Sequence, residues 1–461
     1  MILKQLLDPQ LKIAILGFGK EGQSSLKFLL EQGREDITIL DLNKNSQAVL
    51  QGYQDKYPKI QYILGDGYLD TLEYFDIIIK TPGISPFQEK LLPHKEKCIS
   101  QTHIFFSKYH GRVIGITGTK GKSTLSTLLT DILQELGYKV KLVGNIGNPV
   151  LEEVNIFGDL SYDFIIYELS SYMLQDFSPP LHIGLLNNIY PCHLDWHYNS
   201  FYIYKEAKLN ILKNAQIQIL NTELKNDREV VDIKGEKKYF GNKGRCYVEH
   251  EGVYMDGVLV LHLRDILLLG NHNLLNISAI LETLLHIESD TKKLITSLKK
   301  VLKNFNGLPH RLQNIGNFEG IQFIDDAIAT TPESTIAAIR ALNPHLQSIL
   351  LGGQDSGFDF TSLRREILTS NIDIIIAFPD TSEKIFPEIT YRPYDIPFEM
   401  MIEGKNILFL KTRSMKIAVS FCYRNTLPGK TVLLSSGAPS FSLWKSYIHK
   451  AEEFILQVTN F

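Results

Sequence analysis

The 461-residue chain is poor in cysteine, in charge bias and in long apolar runs. Its four cysteines, Cys98, Cys192, Cys246 and Cys422, stand far apart and form no CxxC pair. That argues against a disulfide framework or a zinc site and suits a reducing cytosol. Lys and Arg number 48 against 51 Asp and Glu, a net charge of −3. No overall basic bias points to nucleic acid or an anionic membrane, so small anions must be held locally. Apolar runs such as "DIIIK" at 76–80 and "DIIIAF" at 373–378 fall well short of the roughly 20 residues that cross a bilayer. The opening stretch "MILKQLLDPQLKIAILGFGK" is interrupted by Asp8 and Pro9, and its "IAIL" runs into a glycine turn, not a cleavage site. A cytoplasmic protein without membrane insertion is expected.

What is present is an α/β rhythm. The chain is 44% hydrophobic and 21% charged, as globular proteins are, and its length suggests about three domains. Runs "KIAIL", "ITIL", "QYIL" and "DIIIK" read as buried parallel strands, with a helix over Gln23–Gln32. "RVIGI" begins a second unit, with a helix from Gly121 to about Leu136, strands "KLVG", "FIIYELS" and "IGLLNN", a helix over 201–213 and short strands within 237–265. Helical periodicity over 271–305 stops at "NGLPHR", where Gly307 and Pro309 end it and a hinge is expected. The last part repeats the rhythm with "IQFID", "SILLGG", "DIIIAF" and "TVLLSS" as strands and helices near 332–342, 411–423 and the C-terminus. The expectation is three α/β domains: a Rossmann-like 1–110, a P-loop ATPase-like 111–311 with a parallel sheet, and a Rossmann-like 312–461.

Two glycine loops carry the chemistry. "GFGKEG" at Gly17–Gly22 follows a strand, precedes a helix and has Asp41 at the end of the next strand. That is a GxGxxG fingerprint, but only about 110 residues precede the next loop, too few for a dinucleotide fold with its two halves. One half can hold a mononucleotide, with Asp41 on a sugar or base and "TPGISP" at 81–86 offering further backbone N–H groups. The second loop, "GITGTKGKST" at Gly115–Thr124, departs from a strict Walker pattern because Ile116 stands where glycine is required. Its physics is that of a phosphate cradle. Backbone N–H groups of Gly118, Thr119, Lys120, Gly121 and Lys122 face phosphates, Lys122 adds a cation, and Ser123 can place a hydroxyl on Mg²⁺. ATP is the expected ligand.

Read with "ELSS" at 168–171, "NNIYPCHLDWH" at 187–197, "KEAKLNI" at 205–211, "GNHNLLN" at 270–276, "GLPHR" at 307–311 and "DDAIATTPEST" at 325–335, this loop resembles the Mur ligases. These are the ATP-dependent amide-forming ligases of peptidoglycan precursor synthesis. The motifs follow in family order over essentially the whole chain. "LGFGKEG", "TPGIS" and "LLSSGAPSFSLW" resemble the glutamate-adding branch. The resemblance implies that the first loop, with Gly17, Phe18, Gly19, Asp41, Thr81, Pro82 and Gly83, takes the UDP part of UDP-N-acetylmuramoyl-L-alanine. It gives the second, from Gly118 through Ser123 and Thr124, to ATP.

It further implies roles for single residues. Ser123 and Glu168 would hold the Mg²⁺ on ATP and His193 would stand near a second Mg²⁺. Lys208 would be carbamylated, since an ammonium would repel Mg²⁺ where a carbamate is an anionic ligand. Asn145 would lie near the reacting groups, Asn273 and Asn276 at the adenine, Arg311 at the phosphates and Asp326 on the ribose. Thr330, Ser440 and Phe441 would form the amino-acid pocket, and a monomer is expected. From the residues alone, Lys208 can equally be a surface lysine on an amphipathic helix, Glu168 a strand-end cap and His193 a loop histidine.

The chain departs from the family pattern at four places. Cys192 replaces an acidic residue before His193, Ile328 a lysine, Ser356 a basic residue after the Gly-Gly turn, and Tyr447 another aromatic. The two missing cations belong to the amino-acid side, where Lys445 is a candidate substitute. D-glutamate is the family default. L-glutamate is the alternative, and a folylpolyglutamate-synthase-like ligase, a nicotinamide oxidoreductase and a catalytically silent ATP-binding descendant are the competing classes.

Overall fold

The computed structural model describes residues 2–146, 148–157, 161–250, 252–266, 272–305, 307–355 and 358–461, without the side chains of 45, 48 and 272. The β-branched runs become three sheets. The first is wholly parallel, in the order β3-β2-β1-β4-β5, from β1 (Ile13–Leu16), β2 (Thr38–Asp41), β3 (Gln61–Leu64), β4 (Ile77–Lys80) and β5 (Cys98–Ile99). All four residues of β1 are buried, as a strand covered on both faces must be. The order reverses at β1, so a crevice opens between the ends of β1 and β4, where open α/β sheets bind ligands.

The second sheet holds β6 (Val113–Thr117), β7 (Val140–Gly144), β8 (Phe164–Glu168), β9 (Leu181–Leu186), β10 (Ala215–Asn221), β11 (Glu236–Phe240), β12 (Cys246–Glu249), β13 (Gly252–Met255) and β14 (Val258–His262), in the order β14-β13-β12-β11-β10-β9-β6-β8-β7. It is parallel as far as β12, with an antiparallel β12-β13-β14 edge. Again the order reverses, at β6, whose end carries the second glycine loop. One continuous hydrophobic cluster, including Ile13, Ile15, Ile39, Phe105, Val143, Ile165 and Tyr167, runs beneath both sheets. They share one compact unit, Met1–Ile266 with Asn271–Lys303.

A second unit, Asn304–Phe461, holds the third sheet. Its order is β15-β16-β21-β17-β18-β20-β19, from β15 (Gln313–Phe318), β16 (Ile321–Asp325), β17 (Leu346–Leu351), β18 (Ile374–Ala377), β19 (Phe398–Ile402), β20 (Lys405–Lys411) and β21 (Thr431–Leu434). The edge pairs β15/β16 and β19/β20 are antiparallel, and neither β15 nor the β19/β20 hairpin is among the expected strands. Glu403 and Gly404, both at positive φ, form the two-residue turn of the latter.

Two helical expectations also change. The periodicity over 271–305 is two helices, His272–Leu284 and Thr291–Asn304. Asp290 divides them by accepting the N–H of Lys293 at 3.0 Å, an N-cap that starts the second helix. The helix expected from 411 begins at Met415, since residues 405–411 are the strand β20.

Candidate functional site

The second loop leaves β6 at Thr117 and enters the helix Lys122–Glu135 through Gly121, whose φ is +80°. A Cβ there would come within 2.6 Å of Asn276 Oδ1 and 2.8 Å of Asn187 Nδ2, so only glycine lets the loop close onto those amides. Two residues with no role in the sequence reading, Asn187 and Asn188 after β9, hold the loop's shape. Asn188 Oδ1 accepts the N–H groups of Thr119 at 3.0 Å and Lys120 at 2.9 Å. Those two donors, expected to face phosphates, therefore point into the protein. Asn187 Nδ2 donates to Lys120 O at 3.2 Å and to Asn276 Oδ1 at 2.9 Å, and Asn276 Nδ2 to Asn273 Oδ1 at 3.2 Å. The two helix asparagines thus brace the loop from behind. Lys122 Nζ donates to the carbonyls of Gly118 at 2.8 Å and Thr119 at 3.1 Å. Ser123 and Thr124 are half-buried in the first helical turn, where backbone N–H groups have no intrahelical partner and favour an anion.

Beside the loop sits a buried carboxylate. Glu168, the last residue of β8, is 0% exposed. Its Oε1 accepts from Asn145 Nδ2 at 2.7 Å, while Oε2 has no hydrogen-bond partner among the described residues. Leaving a buried charged oxygen unpaired costs on the order of 1–3 kcal/mol or more, so the position calls for a cation. Hard oxygen suits Mg²⁺, which typically takes one or two carboxylates and completes its shell with phosphates and water.

Lys208, on the helix Phe201–Lys213, is only 2% exposed, which removes the surface-lysine alternative. Its Nζ donates to Gly118 O at 2.8 Å and Thr117 Oγ1 at 3.4 Å and lies 5.0 Å above the Tyr204 ring. Burial, then the nearby Lys122 ammonium, holds its amine well below the ordinary lysine range, against the opposing pull of Cys192 and Glu168. His193 stands on an exposed loop at φ +52°. Partial burial lowers its pKa, and the charges of Lys122 and Lys208 lower it further. Lys122, Glu168, His193 and Lys208 thus converge electrostatically on the second loop, together with Cys192.

The first loop is organised differently. Gly17 donates its N–H to Leu40 O at 2.8 Å, and Phe18 donates its own to Asp41 Oδ2. Asp41 Oδ1 accepts from Asn43 N at 2.6 Å. A Cβ on Gly22 would collide with the Gly17 carbonyl, so this glycine lets the helix Lys20–Glu31 pack against its own loop. Across the crevice, Thr81 N–H and Oγ1 both donate to Leu16 O, at 2.9 and 3.1 Å. Pro82 and Gly83 follow, half-buried and exposed respectively.

Two family models match the chain: "Mur ligase MurD-like, N-terminal domain" over residues 11–101 and "Mur ligase middle domain" over 116–284. The UDP-N-acetylmuramoylalanine–D-glutamate ligase of Buchnera aphidicola is 30% identical over 455 residues, 96% of this chain and 97% of that one. The chain belongs to the Mur ligase family. The enzyme of the same name from Acetivibrio thermocellus is 29% identical over 459 residues, covering 96% and 95%. Among solved structures, the UDP-N-acetylmuramate-alanine ligase MurC of Thermotoga maritima is 17% identical with a TM-score of 0.57, covering 98% of this chain and 100% of its own. A pseudomurein peptide ligase type C from Methanothermus fervidus, also 17% identical, gives 0.53 over 97% and 99%. These two share the three-sheet α/β fold.

In this Mur ligase the remaining expected residues lie in the second unit. Asp326 is 4% exposed, accepts from Ser435 Oγ at 2.9 Å and Leu312 N at 3.2 Å, and is pushed up to about 7 by burial. Arg311 is exposed and its charge opposes that rise. Thr330 is half-buried, Phe441 exposed, and Ser440 buried with its Oγ unpartnered among the described residues. Ile328 is half-buried, and Tyr447 lies edge-on to His310 at 6.1 Å. Ser356 lies outside the described residues. Lys445, the candidate replacement cation, is exposed. A buried lysine beside Asp325 and Asp326 is instead Lys450, 0% exposed, which donates to Ser436 Oγ; burial lowers it to about 7 against the pull of those two carboxylates. Its spacing from Tyr447, Ala451 and Phe454 put it on the apolar helix face, a signal the sequence reading passed over.

Proposed function

We propose that this ligase joins glutamate to UDP-N-acetylmuramoyl-L-alanine at the expense of ATP, in peptidoglycan precursor synthesis, as a cytoplasmic monomer. The observation that carries the reading is the unpartnered Glu168 Oε2 beside a phosphate loop flanked by Lys122 and Lys208. The names of the relatives above support the choice of substrates.

A carboxylate does not acylate an amine at neutral pH, because its carbon is a poor electrophile. Its oxygen attacks the γ-phosphorus of ATP and ADP leaves, giving an acyl phosphate. The glutamate amine attacks the acyl carbon, inorganic phosphate departs with the C–O bond, and the amine loses its proton to solvent. The chain contributes position and charge. Lys122 turns from the Gly118 and Thr119 carbonyls to the γ-phosphate. The first turn of Lys122–Glu135 receives the phosphates, and Asn145 keeps Oε1 of Glu168 occupied, leaving Oε2 for a cation. Mg²⁺, held by Glu168 and Ser123, would neutralise the charge that develops during phosphoryl transfer. Burial favours the uncharged amine of Lys208, whose nitrogen adds CO₂ and releases a proton to solvent, giving a carbamate. In the second unit, Asp326 takes the ribose, Arg311 the phosphates, and Thr330, Ser440 and Phe441 the amino acid.

D-glutamate is the proposed amino acid. The uncharged Ile328 favours one second reading, L-glutamate, because the carboxylate-binding side of the pocket is altered. Phosphate release with UDP-N-acetylmuramoyl-L-alanine, ATP and Mg²⁺ against a panel of amino acids decides. Turnover with D-glutamate is expected, turnover with L-glutamate alone replaces it by the second reading, and silence with every amino acid overturns the ligase assignment.

A further inference from the structure

Between the two glycine loops runs a packed chain of side chains that the proposed chemistry does not use. Trp196, 8% exposed, is fastened to the loop after β4 at both its backbone and its ring. Ser85 Oγ donates to Trp196 O at 2.7 Å, and the indole Nε1 donates to Gly83 O at 3.3 Å. The Lys80 ammonium lies 5.6 Å from the indole ring. On its other side the indole stacks on Tyr172 at 4.4 Å and meets His197 edge-on at 4.6 Å. His197 is fixed by Ser171 at 3.0 Å and Gln175 at 2.8 Å and meets the Tyr204 ring at 5.2 Å. Tyr204 OH is 2.8 Å from Thr119 Oγ1, within the phosphate loop, and its ring lies 5.0 Å from Lys208 Nζ. The path Gly83–Trp196–His197–Tyr204–Thr119 therefore joins one switch-point crevice to the other without a gap, inside a single compact unit.

We propose that Trp196 is a positioning residue that couples the two crevices, so that a ligand in the first tightens nucleotide binding in the second. The inference rests on the reading of the first loop as the UDP-sugar site. A ligand that displaces Gly83 moves the acceptor of the indole N–H, and rings in van der Waals and hydrogen-bond contact pass the shift on towards Thr119. Spatial continuity alone does not establish coupling, so the quantity to measure is the coupling itself.

ADP serves as the nucleotide, because it occupies the phosphate loop without turnover. Its Kd is measured calorimetrically with and without saturating UDP-N-acetylmuramoyl-L-alanine. The expected ratio is at least ~5-fold in favour of the doubly occupied enzyme, the low end of ordinary coupling. Trp196→Phe keeps the ring and loses the N–H, and should bring the ratio to within ~2-fold of one. Ser85→Ala, a gentler change, should lower it part of the way. Trp196 and Trp444 are the only tryptophans, so in a Trp444→Phe background emission from Trp196 should respond to either ligand alone. A ratio of one in the unaltered enzyme, or an undiminished ratio in both Trp196→Phe and Ser85→Ala, overturns the coupling while leaving the function intact. Failure of the UDP-sugar to bind at all removes the reading of the first loop and the coupling with it.

Discussion

The two glycine loops share a plan and differ in charge. Each follows a central parallel strand at the point where its sheet reverses order, and each is closed by a side-chain acceptor from a neighbouring strand end. At the first loop that acceptor is the carboxylate of Asp41, bonded to Phe18 N. At the second it is the neutral amide of Asn188, bonded to Thr119 and Lys120. Both following helices begin with a lysine, Lys20 and Lys122, but only the first carries an acid, Glu21, in its opening turn. At 4 Å two like charges repel by about 1 kcal/mol in water and about 4 kcal/mol near a protein surface. A phosphate close to Asp41 would meet that repulsion, whereas a ribose hydroxyl or a uracil N–H would find an acceptor. Glycine spacing shapes the loop, and on the proposed reading the residue that closes it would select the ligand.

The contrast is broken most severely at Lys208. Lys208→Ala removes the group proposed to become an anionic ligand next to the phosphate loop, and turnover should fall by at least ~10²–10³, the scale of losing one transition-state contact. A short carboxylic acid such as formate should restore part of it, and ADP should still bind. Rescue failing while ADP affinity is normal removes the carbamate role and leaves the loop comparison standing. The paired exchange Asn188→Asp and Asp41→Asn tests the comparison directly. Asn188→Asp puts the first loop's charge into the second and should weaken ADP by ~10–100-fold, about 1.4–2.7 kcal/mol, at unchanged UDP-sugar affinity. Asp41→Asn retains an acceptor for Phe18 N and should weaken UDP-sugar binding by only ~3–10-fold, with ADP unaffected. Equal, small effects from both exchanges would show that loop charge does not choose the ligand.

The sequence was read best where burial is continuous or local rules suffice. The strand "IAIL" and the helix over 201–213 lie where periodicity put them. The phosphate loop, too, is strand, turn and helix as its spacing requires. What escaped were residues whose meaning depends on another part of the chain. Asn187 and Asn188 sit inside a motif that was recognised, yet they act across the gap between β9 and β6, which no local pattern displays. Lys208 shares a buried face with Tyr204, Ala207, Ile211 and Leu212, so its spacing already argued against a solvated lysine. Lys450 is the same case in the second unit, and Lys445, which looked closer to the pocket in sequence, is exposed. The antiparallel edges of the third sheet escaped because period-2 signals were short and their turns, Glu319-Gly320 and Glu403-Gly404, carry neither Asn nor Asp.

The smallest effect sharpens the comparison through pH. Glu21 belongs to the first loop alone and is raised to about 7 by burial, with Lys80 opposing. An unfolded glutamate titrates near 4.5, so between these values the folded chain holds a proton that the unfolded chain has lost. The stability that goes with that proton is complete below about 4.5 and is lost as pH rises through about 7. His103 and His197 act in the opposite sense. Burial lowers both to about 4 from 6.5, so their contribution is present above 6.5 and disappears as pH falls towards 4. Glu21→Gln removes the first slope and keeps the second. The variant should gain ~1–3 kcal/mol above pH 7 and nothing at pH 4.5, seen calorimetrically as a raised midpoint for the transition of the first unit alone. Gln at the position equivalent in the second loop's helix would alter no such slope, since no acid is there to titrate. A variant whose stability gain is the same at pH 4.5 and pH 8 would mean that Glu21 is ionised in the folded protein, and the first loop would then carry two negative charges rather than one.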